Sequence, residues 1–281
     1  MRGYSDAGIY VDPFTDFSFK KLFGPEQNQD LLTDFLNAIL KKSVRSVIHL
    51  NTERMGRTRT GRKVIFDLFC ETDQGEKVII ELQNASQSKF ADRSLFYATM
   101  AIQEQEKKGK WNFGLSPVYM INILNFSFPL SPGQNAVHEI SLRDDHSCRL
   151  FTNCLHLIYI EIPKFTKQES ELANRGDEWL FLLKHMSTFQ DIPKAFSGNA
   201  VYRKLFFTAR LGSLNKEEMT IYQVKLKEKR DRENQLEFAE QIGIEKGKND
   251  MCNEIINRMK SKGYSCNEIA GITGISIEYL Q

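Results

Sequence analysis

Hydrophobic positions along this chain change period several times, and each change predicts an element. Phe19, Leu22 and Phe23, then Leu31, Leu32, Phe35, Leu36, Ile39 and Leu40, recur at helical spacing with a break at Gly24-Pro25. Two helices, or one broken helix, are expected after Asp16. An aspartate ahead of an apolar-periodic run also reads as a helix N-cap that satisfies free backbone amides. Residues 44–51 alternate weakly and predict a first strand. Strict alternation over 64–70 and 78–83, on either side of Asp73-Gln74-Gly75-Glu76, predicts a β-hairpin.

The two faces of that hairpin differ in chemistry. Val64, Phe66, Leu68 and Cys70 share one face with Val78, Ile80 and Leu82, whereas Asp67 and Glu71 share the other with Lys77, Glu81 and Gln83. Pairing centred on Gln74 sets Asp67 opposite Glu81, with β-carbons about 5 Å apart. Carboxylates so placed repel, and a hard divalent cation taking oxygen ligands from both relieves the repulsion. A solvated sheet face that tolerates acidic residues is the ordinary alternative.

Around the hairpin the pattern continues. Residues 53–63 carry Arg54, Arg57, Arg59, Arg62 and Lys63 with no acid after Glu53. This basic loop suits phosphate contacts, which add sequence-independent affinity, or is simply a solvated hairpin loop. Helical spacing returns over 86–109, with Phe90, Leu95, Phe96, Ala98, Met100 and Ile102 on or near one face and Gly109 as a stop. Arg93 and Tyr97 are neighbours on that helix and, with Gln103, are candidates to touch phosphate. Core packing for Tyr97 and a surface ion pair for Arg93 are the competing readings.

Residues 117–128 and 155–162 read as apolar strands buried on both faces, and 137–142 as an edge strand. After Pro163 the chain turns helical over 169–183, 195–211 and 216–242, with Gly243 and Gly247 suggesting a joint. Ser265 with Glu268 forms a capping box and Ser276 a second cap, like the start of a helix-turn-helix whose second helix is too short to read a major groove. The expected organisation is a core over 1–165, a helical extension over 166–242 and a small helical hairpin over 243–281.

The order Asp67, then Glu81-Leu82-Gln83 at the end of the next strand, resembles the PD-(D/E)XK nuclease signature, with Gln83 where that signature usually has lysine. TDFSFKKLFG at 15–24, LLTDFLNAIL at 31–40 and RSLFY at 93–97 are similar to the bacterial family of recombination-promoting nucleases and transposase-like proteins. The resemblance covers most of the chain. It implies an α/β fold with a restriction-endonuclease-like core, a mixed central sheet flanked by helices, and a helical C-terminal extension. It also implies a metal-dependent DNA endonuclease linked to recombination or mobile elements. In that reading Asp67 and Glu81 hold Mg²⁺, with Mn²⁺ or Ca²⁺ as alternatives, and Asp16 completes the site through water. Gln83 orients the attacking water, and Arg57, Arg59, Arg62, Arg93 and Tyr97 contact nucleic acid. The alternative is a catalytically idle nuclease fold that binds DNA or protein; intact acids argue against it and the missing lysine for it. Nothing in the residues separates DNA from RNA.

Composition narrows the classes. With 38 basic and 36 acidic residues the net charge is +2, too mild to mark a nucleic-acid binder, so that case rests on local charge. Five cysteines without a C-x-x-C pair argue against a zinc site and against a secreted disulfide framework. His138, His146 and His156 lack ligand spacing. No run approaches the roughly 18 apolar residues of a membrane span. A cytoplasmic protein with DNA as partner is expected, and a homodimer if both strands are cut.

Overall fold

The computed structural model describes residues 8–54, 64–87, 89–128, 133 and 135–280. Among them the elements run α1 (Asp16–Phe23), α2 (Gln29–Leu40), β1 (Val47–His49), β2 (Glu53–Arg54), β3 (Val64–Ile65), β4 (Leu68–Thr72), β5 (Lys77–Gln83), α3 (Phe90–Gln103), β6 (Val118–Leu124), β7 (Val137–Ser141) and β8 (Leu155–Glu161). Helices follow: α4 (Arg175–His185), α5 (Lys194–Ser197), α6 (Ala200–Ala209), α7 (Lys216–Ser261), α8 (Cys266–Thr273) and α9 (Ile277–Leu280). The chain divides into two compact units, Met1–Lys229 and Arg230–Gln281.

Six strands of the first unit form one mixed sheet in the order β1-β4-β5-β6-β8-β7. Pairing is antiparallel at β1/β4, β4/β5 and β7/β8, and parallel at β5/β6 and β6/β8. A parallel pair needs a crossover, and α3 supplies the one between β5 and β6. The expected edge strand is β7. The β4–β5 hairpin has the register that alternation predicts: Leu68 faces Ile80 and Cys70 faces Val78, centred on Gln74. Its turn closes with the Gly75 amide donating to the Thr72 carbonyl at 2.9 Å, and Gly75 sits at φ +77°, a conformation that L side chains rarely adopt.

Alternation divides the sheet between two cores. Leu68, Cys70, Val78, Ile80, Ile121, Ile123, Ile158 and Ile160 pack with residues of α1, α2, α4 and α6. Phe69, Ile79, Val118, Met120 and Leu155 pack with Ala98 and Ala101 of α3. Packing is continuous across residue 165, because Trp179 of α4 lies fully buried with its ring centroid 5.8 Å from that of Phe23 and 5.6 Å from that of Phe35. Arg175 fixes this junction by donating to both oxygens of Asp34, at 3.0 and 2.8 Å. Truncating a buried aromatic in such a cluster costs about 3–5 kcal/mol.

Three expectations are corrected. Residues 64–70 are not one strand: from His49↔Cys70 to Glu53↔Ile65 the chain advances four residues on one side and five on the other. The extra residue is a β-bulge at Phe66-Asp67, and it inverts the alternation. Val64 and Phe66 therefore pack with Phe69 and Ile79 instead of with Leu68 and Cys70. On α3 the buried stripe is Phe90, Ser94, Ala98 and Ala101, while Leu95 and Phe96 are exposed; Ser94 is admitted because its hydroxyl bonds that of Tyr159 at 2.5 Å. Finally, α7 runs unbroken through Gly243 and Gly247, each of which costs a helix about 1 kcal/mol relative to alanine without stopping it.

In the second unit, Ile256 of α7 packs against Ile269 of α8. The expected capping box is present there: the Ser265 side chain accepts from the Glu268 amide, and the Glu268 carboxylate accepts from the Ser265 amide at 2.8 Å. None of the five cysteines forms a disulfide among the described residues, and among those residues no helix is long and apolar enough to cross a membrane.

Candidate active site

The bulge at Phe66-Asp67 sets the geometry of the acidic pair. Asp67 leaves the ladder just before β4, and its Oδ2 accepts the Leu82 amide of β5 at 2.8 Å. Its own amide donates to Glu81 Oε1 at 3.2 Å. Each carboxylate is thus pinned by the other's strand, and both retain free lone pairs. Glu81 is 5% exposed, two residues from the end of β5, and aligned with Asn122 of β6. Burial first, and then the charge of Asp67, push the Glu81 carboxyl up to about 8. Burial likewise raises Asp67, against the Leu82 amide and Lys20, which pull it down.

Two polar chains lead away from this pair. Gln83 donates from Nε2 to Glu81 Oε2 at 3.3 Å and accepts from Arg93 Nη2 at 2.7 Å through Oε1. Arg93 also donates to Gln87 Oε1 and lies over the rings of Phe90 and Tyr97. Its predicted surface ion pair is replaced by these amide contacts. On the other side Lys20 Nζ lies 2.7 Å from Asp16 and 4.0 Å from Asp67. Burial works against the Lys20 charge, but the hydrogen bond it donates to Asp16 and the fields of Asp16, Asp67 and Glu81 outweigh it and hold its pKa above the ordinary lysine value.

The sequence-predicted residues meet different fates. Asp67, Glu81, Gln83 and Arg93 come together, and Asp16 joins them through Lys20. Asp16 is not the helix cap: extended Thr15 fills that position, its Oγ1 accepting the Ser18 amide at 3.2 Å, so the Asp16 carboxylate is free to meet Lys20 one turn on. Tyr97 stacks edge-on against Phe66 at 5.7 Å and belongs to the α3 core as well as touching Arg93. Arg57, Arg59 and Arg62 lie outside the described residues.

Sequence reasoning missed Lys20, Asn84 and Asn122. Lys20 carried one signal, its i,i+4 spacing from Asp16. Asn84 donates to the Phe14 carbonyl at 2.8 Å and so ties the start of α1 to the end of β5. Asn122 is fully buried beside Glu81, and its Oδ1 has no hydrogen-bond partner among the described residues.

These groups fit a hard cation of the Mg²⁺ type, which binds through one or two carboxylates and leaves its other positions to water and phosphate. The fit rests on the raised Glu81 carboxyl, whose ionisation a nearby cation favours, and on the unpartnered Asn122 oxygen next to it. Among the described residues no cluster of three or more His, Cys, Asp or Glu side chains forms a complete protein cage.

A mixed sheet with helices on both faces, presenting an acidic residue before one strand and a Glu-x-Gln at the end of the next, defines a restriction-endonuclease-like nuclease fold. The family profile of the PD-(D/E)XK nuclease family transposases matches residues 13–239, and the chain belongs to that family. Neither curated proteins nor solved structures yield a match.

Proposed function

We propose that this protein is a divalent-metal-dependent endonuclease that hydrolyses phosphodiester bonds of DNA, with Mg²⁺ as the working ion, in recombination or movement of mobile elements. The observation that carries the reading is the pair of buried Glu81 and half-buried Asp67, each accepting a backbone amide from the other's side of the hairpin, beside Lys20 and the Gln83–Arg93 chain. Asp67 and Glu81 would hold the ion, which when bound neutralises phosphate charge and acidifies a water. Gln83, itself oriented by Arg93, would align that water through its amide. Lys20 would supply the positive charge that glutamine cannot, stabilising negative charge as it develops on the phosphate. Asp16 would aim Lys20, and Asn84 would keep α1 over the sheet. Since one carboxylate pair serves one strand, double-strand cutting calls for a homodimer; a mass in solution that stays at one chain with DNA bound refutes that part.

A second reading is favoured by one feature, Gln83 in place of the motif lysine: a nuclease fold that binds DNA without cutting it. Asp67→Ala separates the two. The nuclease reading expects cutting to vanish while DNA affinity, measured by fluorescence anisotropy, stays within about threefold, a change of under 1 kcal/mol. A wild-type protein that binds DNA and cuts it under no metal supports the second reading.

A further inference from the structure

A cavity of about 460 Å³ lies between α1, the turn that follows it and the first turns of α7. It shares a wall with the acidic site, since Asp16 and Lys20 line it. Phe17, Pro25 and Ile221 give it apolar surface, and Lys225 adds a second cation at its rim. The α7 wall is held in place: Tyr222 is buried, and its hydroxyl accepts the Asp12 amide at 3.1 Å. The adjacent Ile221 nevertheless stays 42% exposed, an apolar side chain turned toward open space and not used for packing.

The volume falls within the roughly 300–1,000 Å³ of pockets that take one small ligand. Three lysines, Lys20, Lys21 and Lys225, outnumber the two lining carboxylates, Asp16 and Glu218, and with the apolar surface they match a nucleobase with its phosphate, the base against Phe17 and Ile221 and the phosphate toward Lys20 and Lys225. A base inside a duplex cannot reach such a pocket without leaving its stack. We infer that this cavity receives one unpaired nucleotide of the DNA strand, adjacent to the phosphodiester to be cut at the Asp67–Glu81 site. The inference rests on the nuclease reading for its substrate, and it makes DNA with an unpaired nucleotide a better ligand than continuous duplex.

The test compares two fluorescein-labelled DNA hairpins, one fully paired and one with a single bulged thymidine, titrated with the full chain in chelator so that no cutting occurs. The bulged hairpin is expected to bind about tenfold tighter, the worth of one stacked base. Ile221→Glu places a carboxylate where the base would stack, and is expected to erase the preference while leaving affinity for the paired hairpin and the melting temperature unchanged. Lys225→Ala, at a partly exposed position of α7, is a second variant expected to weaken the preference. Equal affinities in the wild type, or a preference that survives Ile221→Glu in a folded protein, overturn the inference. A protein that cuts paired DNA in Mg²⁺ without preferring the bulge loses the pocket alone; one that prefers the bulge but cuts under no metal keeps the pocket and loses the nuclease.

Discussion

Replacing Glu81 by glutamine keeps the shape of the side chain and removes its charge, and in metal-free protein this is expected to stabilise the fold at alkaline pH. Burial and the neighbouring Asp67 carry the Glu81 carboxyl from 4.5 up to about 8. A carboxyl whose folded pKa exceeds its unfolded one makes the folded state hold the extra proton. Its contribution is therefore full below about pH 4.5, is lost progressively as pH rises, and levels off above about 8. At 1.36 kcal/mol per unit the window amounts to on the order of 5 kcal/mol, shared between Glu81 and Asp67 because they titrate together. Glutamine has no proton to lose, and its oxygen can still accept the Asp67 amide.

The variant should accordingly exceed the wild type by about 1–3 kcal/mol near pH 8.5 and match it within about 1 kcal/mol near pH 5. Urea unfolding in chelator measures this, followed by the fluorescence of Trp179, which is fully buried in the core of the first unit. His49, His156 and His185 have pKa values lowered by burial, so they favour the folded state as pH rises, the opposite sign. The difference between variant and wild type at each pH removes their contribution. Millimolar Mg²⁺ should then stabilise the wild type and not the variant. A variant no more stable than wild type near pH 8.5, or an equal gap at both pH values, refutes the electrostatic account.

Other consequences are independent of that one. Gln83→Lys, which restores the usual motif residue, is expected to slow cutting and to lower stability by about 1–2 kcal/mol, because it sets a cation against Arg93 where Gln83 now accepts a hydrogen bond; faster cutting contradicts the role given to that chain. Lys20→Met should reduce kcat about 100-fold in single-turnover assays with little change in melting temperature, since the Lys20 side chain is 44% exposed; an unchanged rate removes Lys20 from the chemistry. Arg175→Lys should cost about 2 kcal/mol in urea unfolding while leaving activity per folded molecule intact. It breaks the two-point contact with Asp34 and the stacking over Tyr202 at 4.0 Å, and a loss under about 0.5 kcal/mol speaks against this junction as a structural tie.

Much of this arrangement was legible in the chain. The hairpin register follows from two alternating runs around a polar, glycine-bearing turn, and one-residue slips are excluded because they would bury Glu81's face in the helical core. The bulge was not legible, because Phe66 and Phe69 are both apolar and a pattern of apolar residues does not report an inserted position. Lys20 was hidden for a different reason: its approach to Asp67 is a tertiary contact across 47 residues, and locally it reads as a basic residue in the last turn of a helix. The α3 stripe was misread because Ser94 earns its buried place through Tyr159, a partner 65 residues away. Cap and joint failed through competition: Thr15 and Asp16 are both good caps, and a long helix absorbs two glycines.

The account turns on whether Asp67 and Glu81 form a metal-dependent cutting site. Supercoiled plasmid incubated with purified wild type and with Glu81→Ala, in Mg²⁺, Mn²⁺, Ca²⁺ or chelator, measures that most directly. Nicked or linear product that requires both metal and Glu81 is the expected result. Product that persists in chelator or in Glu81→Ala, or no product from folded wild type under any metal, contradicts it.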